Sequence, residues 1–285
     1  YQNLIDLMRM ASQLESKPKF ISLTNQRETF ALFDKKTGMP VHNAIVWQCT
    51  RGQKYCDEII NNPSISNQIT QKTGLKANSF FSASKLQWVL NNKPEIKKGF
   101  DNGSILFGTI DTYLLYRLSN FQNYITDTTN ASRTLLFNCI ENEWDEELLS
   151  IFGMTKSIPL PIVKSSSDHF GDSDFDKCFS KKIPIIGVVG DAQGSFFGNF
   201  CFSVFQTFFC NYLKKTYFVV QEAALTVASS GARRDRLRED GAARGAVSGA
   251  LPQQRYRLAR KQFAVRHPLH ELIGNPRFTH GHGRR

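Results

Sequence analysis

The chain has 285 residues, enough for about two average domains, and at 41% hydrophobic and 21% charged it is ordinary globular material. No run of 18 apolar residues occurs, since the Phe-rich stretch 196–209 is broken by Asn199 and Gln206, which argues against a membrane span. The net charge of +11 invites a nucleic-acid reading until it is located: residues 204–285 hold 15 Lys and Arg against 5 Asp and Glu, leaving 1–203 at +1.

The opening residues Leu4, Ile5, Leu7, Met8 and Leu14 recur at helical spacing. Lys19 to Leu23 and Thr29 to Phe33 read as short strands joined by the polar Thr24 to Glu28, and a turn at Asp34 to Gly38 leads to a third strand, Ala44 to Trp47. That succession predicts a β-meander. Lys54 to Ile60 and Ser82 to Leu90 read as helices, the second capped by Ser82 or Ser84 and ending before Pro94. Next come a strand at Ser104 to Phe107, a helix at Asp111 to Leu118 and a short helix at Trp144 to Phe152. Ile183 to Val189 is a buried strand, which Gly190 to Gly194 turns into a helix reaching Phe197. Strands alternating with helices give an α/β fold.

At residue 203 the vocabulary changes: Arg outnumbers Lys 12 to 3 after it, where Lys outnumbers Arg 16 to 5 before it. The chain therefore divides into 1–203 and 204–285. The second part, poor in large apolar residues between 221 and 261, is expected to be a basic tail of low order. Six cysteines, Cys49, Cys56, Cys139, Cys178, Cys201 and Cys210, stand far apart without a CxxC pair. That spacing argues for reduced thiols in a cytoplasmic protein rather than a zinc site or disulfide framework. No basic-and-apolar leader stands at the start, where the first residue is Tyr1.

Several residues are candidates for chemistry. Arg27 and Glu28, between two apolar strands, put a donor fork beside a carboxylate, the alternation that a polyol's hydroxyls require, or else form a solvated turn. Asp191 follows an apolar strand between Gly190 and Gly194, at the strand end where open α/β sheets bind ligands. It reads equally as general base, metal ligand or helix cap. Trp47 is a ligand wall or a core residue, and Asp127 to Thr134 a capped loop. His280 and His282 lack carboxylate or Cys neighbours, so they read as a solvated tail. Neither GxxxxGK[ST] nor GxGxxG occurs.

Six blocks, taken together, resemble the glycerol kinase branch of the FGGY carbohydrate kinase family. They are Asn25-Gln26-Arg27-Glu28-Thr29, Ala44 to Gln48, Phe80 to Trp88, Leu106 to Thr112, Thr126 to Thr134 and Gly187-Val188-Val189-Gly190-Asp191, in family order across nearly all of 1–203. The resemblance implies an incomplete N-terminal, substrate-side domain of ribonuclease-H-like fold (the actin and hexokinase type of ATPase). The implied activity is Mg-ATP-dependent phosphorylation of glycerol to glycerol 3-phosphate, in a cytoplasmic homo-oligomer that binds neither nucleic acid nor membrane. It further implies that Arg27 and Glu28 bind the hydroxyls, Trp47 lies along the carbon chain, and Asp191 is the catalytic base, meeting magnesium only through Mg-ATP. Phe80 stands where the family has a substrate-binding Tyr, and Ala192 where it has a Gln. These two departures favour a kinase for another small polyol or sugar as the alternative.

The resemblance stops near residue 203, and the family's first strand and phosphate-gripping segments find no counterpart. The expectation is that 204–285 is a gene-model or frame artefact and that the chain, lacking ATP-binding segments, is inactive and marginally stable. A reading of another class, a nucleic-acid-binding or scaffold protein, would use Arg233, Arg234, Arg236 and Arg238, but Asp235, Glu239 and Asp240 dilute that charge.

Overall fold

A computed structural model describes residues 1–155 and 158–198, and the backbone of Ala224–Val227. In chain order the elements are α1 (Gln2–Ala11), β1 (Ile21–Asn25), β2 (Phe30–Asp34), α2 (Gln53–Ile60), α3 (Pro63–Thr73), α4 (Ser82–Asn92), α5 (Pro94–Asp101) and β3 (Ile105–Thr109). They continue with α6 (Ile110–Leu118), β4 (Ile125–Asp127), α7 (Thr128–Ala131), β5 (Phe137–Asn138), β6 (Glu143–Trp144) and α8 (Glu146–Ile151). The series closes with β7 (Ile162–Lys164), β8 (Gly171–Ser173), β9 (Ile183–Gly190), α9 (Asp191–Gly198) and β10 (Ala224–Val227).

The main sheet runs β10-β1-β9-β8. Its central pair, β1 and β9, is parallel, with Asn25 opposite Gly190. The register steps between Ile21, opposite Ile185, and Ser22, opposite Gly187, so Ile186 is an extra residue bulged out of the ladder. One face of this sheet packs on α1 and α6 through Leu4, Ile5, Met8, Leu23, Leu115, Ile185 and Val188. Those three α1 positions share one helical face, and Leu7 and Leu14 of the expected stripe point to solvent instead.

The expected meander does not form. β2 lies in a different sheet, paired antiparallel with β3, with Phe30 opposite Thr109. Ala44 to Trp47 is no strand, and only Ile45 bridges Phe30. The cause is burial on both sides. Phe30 and Leu32 face a large core with Leu86, Phe100 and Phe152, while Ala31 and Phe33 face a second cluster with Leu106 and Tyr116. A strand enclosed over Phe30 to Phe33 is apolar along that stretch, and packing on both faces, not sequence neighbourhood, sets its partner.

Three helices lie outside the segments read as helical, and one of them, α7, forms within the expected capped loop. α3 begins with Pro63 behind an Asn62 side chain that accepts from Ile65 N–H, and ends on Gly74 at φ 69°. Pro94 does not simply stop α4; it starts α5 as its first residue. α4 carries no side-chain cap. Ser82 instead donates to the Glu28 carbonyl at 3.0 Å, tying the helix to the β1–β2 turn. The four described cysteines, Cys49, Cys56, Cys139 and Cys178, are free thiols. Apart from β10, residues 204–285 lie outside the described residues, and with them the expectation of low order.

Candidate functional site

Parallel pairing brings the carboxyl ends of β1 and β9 together, and the candidate residues leave the sheet from those two ends. After β1 the chain turns within three residues, Thr29 N–H donating to the Arg27 carbonyl at 2.6 Å. Glu28, at the centre, is held at φ 60°, a conformation that a residue with a Cβ adopts at a cost of about 1–3 kcal/mol. The turn sends Arg27 and Glu28 in different directions. Arg27 reaches β9, where its Nε stands 3.3 Å from Asp191 Oδ1, both side chains being about 15% exposed. Glu28 is only 3% exposed, so the solvated-turn alternative does not hold.

Glu28 is paired with Arg133, whose Nε donates to Oε1 at 2.6 Å, and the Arg133 guanidinium lies over the Phe81 ring at 4.8 Å. Arg133 belongs to the loop after α7, a loop organised by Asp127. The Asp127 carboxylate caps α7 by accepting from the N–H groups of Thr129 and Asn130, and it also accepts from the hydroxyls of Thr129 and Ser166. Thr129 Oγ1 in turn accepts from Gly190 N–H at 2.7 Å. Asn130 exchanges amide hydrogen bonds with Asn25 at the end of β1. The capped loop is therefore the brace between both strand ends.

Gly190 is required sterically. A Cβ there would lie 2.4 Å from Arg27 Cδ and 3.0 Å from Gln193 Oε1. Around it, Thr24 Oγ1, Arg27 Nε and Gln193 Oε1 are buried atoms without a hydrogen-bond partner, so the floor beside Asp191 holds unspent polar capacity. Asp191 opens α9 and accepts from Ala192 N–H at 2.7 Å.

The other candidate residues form an aromatic pair. Trp47 and Phe80, both half-buried, meet with ring centroids 4.9 Å apart. Trp47 N–H is fixed to Thr29 Oγ1. Below the rings Lys85, wholly buried, donates from Nζ to the Phe80 carbonyl at 2.6 Å and the Trp47 carbonyl at 3.3 Å. Burial lowers its pKa to about 8, against the attraction of Glu28.

Of the residues that the resemblance assigns to the site, Arg27 meets Asp191 and Trp47 meets Phe80, while Glu28 turns away from Arg27 toward Arg133 and attracts Lys85, which holds the Trp47 and Phe80 carbonyls. Arg133, Thr129 and Lys85 were missed as individuals. The available signals were a lone Arg in a run of small polar residues and a lone Lys in an otherwise uncharged helix. Among the described residues no three His, Cys, Asp or Glu side chains are grouped to hold a metal ion. No helix among them is long and apolar enough to cross a membrane. Arg233, Arg234, Arg236, Arg238, His280 and His282 lie outside the described residues.

Residues 1–198 match the N-terminal domain of the FGGY family of carbohydrate kinases. The chain is 48% identical over 183 residues to a glycerol kinase of Clostridium botulinum, covering 64% of this chain and 36% of the relative. It is 44% identical over 182 residues to a glycerol kinase of Fusobacterium nucleatum, with the same shares of the two chains. It thus spans about a third of the length of these curated relatives. A Plasmodium falciparum glycerol kinase solved with ADP superposes with a TM-score of 0.65 at 38% identity, over 70% of this chain and 41% of that one. A ligand-bound xylulose kinase from Lactobacillus acidophilus gives 0.61 at 23% identity over 69% and 39%, a likeness of fold.

Proposed function

The chain belongs to the FGGY family of carbohydrate kinases, and from that premise we propose that its described residues form the acceptor half of a site that phosphorylates glycerol at a primary hydroxyl. The observation that carries this reading is the approach of Arg27 Nε to Asp191 Oδ1, 3.3 Å across the ends of two parallel strands, with Glu28 next in the chain.

In this proposal Arg27 donates to one hydroxyl oxygen and Glu28 accepts from a neighbouring O–H, while Arg133 holds Glu28 in place. The carbon chain rests on Trp47 and Phe80. Asp191, positioned by Arg27 and by the Thr129 bond to Gly190, accepts the proton of the third hydroxyl as its oxygen becomes a nucleophile. Most of the rate enhancement comes from alignment, and a base fixed at a strand end supplies it.

The donor set fits a magnesium ion carried on nucleotide phosphates. Among the described residues Asp191 belongs to no group of three His, Cys, Asp or Glu side chains, and magnesium carried on phosphates takes one or two carboxylates and otherwise phosphate and water. When bound, Mg-ATP supplies the phosphoryl group. A cytoplasmic location belongs to the same proposal, supported by the free thiols of the four described cysteines.

Calorimetric titration of the chain with glycerol, erythritol, xylulose and gluconate tests the acceptor half. Glycerol is expected to bind and Arg27→Ala to abolish its heat. No glycerol binding, or binding undiminished in Arg27→Ala, overturns the reading. The wall is apolar at Phe80 and Ala192 follows the base, so a different small polyol of the same family is the second reading, and preferential heat from erythritol or xylulose would select it.

A further inference from the structure

Lys85 is a wholly buried ammonium outside the chemistry described above. A buried charge is costly unless its donors are satisfied and an opposite charge is near. Its two hydrogen bonds go to the carbonyls of Trp47 and Phe80, and its leading attractive partner is the carboxylate of Glu28. These are three residues of the proposed polyol pocket, from three separate stretches of chain. The rings of the first two meet at 4.9 Å, and nothing but their own backbones links each ring to the clamped carbonyl.

We infer that Lys85 is a positioning residue, whose ammonium clamps the Trp47 and Phe80 carbonyls and thereby sets the spacing and tilt of the aromatic wall that selects the polyol. The purpose of the wall rests on the polyol reading; the clamp itself does not. Charge matters to the clamp because a charged donor makes the stronger hydrogen bonds and attracts Glu28. A neutral amine relaxes both. Burial brings the loss of that proton down to about pH 8, so the wall is expected to loosen as pH rises through 8.

The other groups facing Nζ are Cys49, Cys56 and Arg51. Burial raises the Cys56 thiol. Burial also acts to raise Cys49, but hydrogen bonds from the Arg51 backbone and guanidinium outweigh it and leave that thiol lowered. Cys49 therefore has to be removed from the experiment.

The test uses the full chain carrying Cys49→Ser, Trp88→Phe and Trp144→Phe, which leaves Trp47 as the reporter. Its emission is expected to change with a midpoint near pH 8, and glycerol affinity to fall by about three- to tenfold over the same range. Lys85→Met should make both flat. An emission flat with pH in the Lys85 protein, or a transition that survives in Lys85→Met, overturns the clamp. A Trp47 transition that Lys85→Met removes, in a chain that binds no glycerol, supports the clamp and overturns the polyol reading instead. Should Lys85→Met not fold, carbon-13 lysine spectra of the Lys85 protein decide: a lysine titrating with the Trp47 midpoint supports the clamp, and the absence of one overturns it.

Discussion

Glu28 and Arg133, 105 residues apart in the chain, are joined by a hydrogen-bonded ion pair of 2.6 Å in which the carboxylate is almost fully buried. The pair holds a residue whose backbone would otherwise leave φ 60°. Contact and conformation thus stabilise each other: the turn aims the carboxylate, and the guanidinium keeps the turn.

Glu28→Gln removes the charge and keeps the size. Arg133 is then a largely buried cation without its partner, and the chain is expected to lose about 1–3 kcal/mol in urea unfolding. Glycerol affinity should fall with it. An unfolding midpoint equal to that of the parent would show that the pair does not brace the turn.

Gly190→Ala acts on the other arm. The added methyl would sit 2.4 Å from Arg27 Cδ, so Arg27 has to swing away from Asp191. Glycerol affinity is expected to drop by at least about tenfold, with a stability loss within the ordinary range of about 0.5–3 kcal/mol for a point substitution. Calorimetry and urea unfolding on one preparation separate the two effects.

Phe80→Tyr restores a hydroxyl to the wall while keeping the ring against Trp47. One added hydrogen bond to a polyol is worth about 0.5–1.5 kcal/mol, an affinity gain of about two- to tenfold. An unchanged dissociation constant would mean that the para position of this ring does not face the ligand.

Asp111→Asn tests a buried carboxyl behind the site. Asp111 is fully enclosed on α6, with Thr126 donating to Oδ2 at 2.6 Å and Oδ1 unpartnered. Burial first, and then the charge of Asp127, push its pKa up to about 7. The folded chain therefore holds this proton more tightly than the unfolded one, and the contribution to stability falls as pH rises from about 4 to 7. Relative to Asp111→Asn, the parent should lose about 1–3 kcal/mol between pH 5 and 8. Parallel pH profiles of the two proteins would remove Asp111 as the cause.

What the sequence disclosed follows from where each signal resides. β9 was legible because a run such as Ile183 to Val189 has few alternatives, and Asp191 because a carboxylate after that run lies at a strand end by construction. Strand partners were not legible. The apolar segments around β1 and β2 look like successive hairpin strands, and only the layers above and below send one to β9 and the other to β3. α3 escaped notice because its buried face is just Ile69 and Thr73. Arg133 and Lys85 were invisible as site residues for a similar reason: each owes its place to a contact made across the fold, with Glu28 in one case and with the Trp47 and Phe80 carbonyls in the other.

The bulge at Ile186 sits four residues before Gly190, on the strand that carries Asp191. Because side chains alternate faces along a strand, the count of residues between that irregularity and the strand end works as a phase setting for the whole constellation. Inserting one residue between the bulge and the strand end would leave an equally apolar strand, yet deliver the aspartate to the wrong side of the sheet. Length between fixed points, as much as residue identity, is therefore under constraint in this segment.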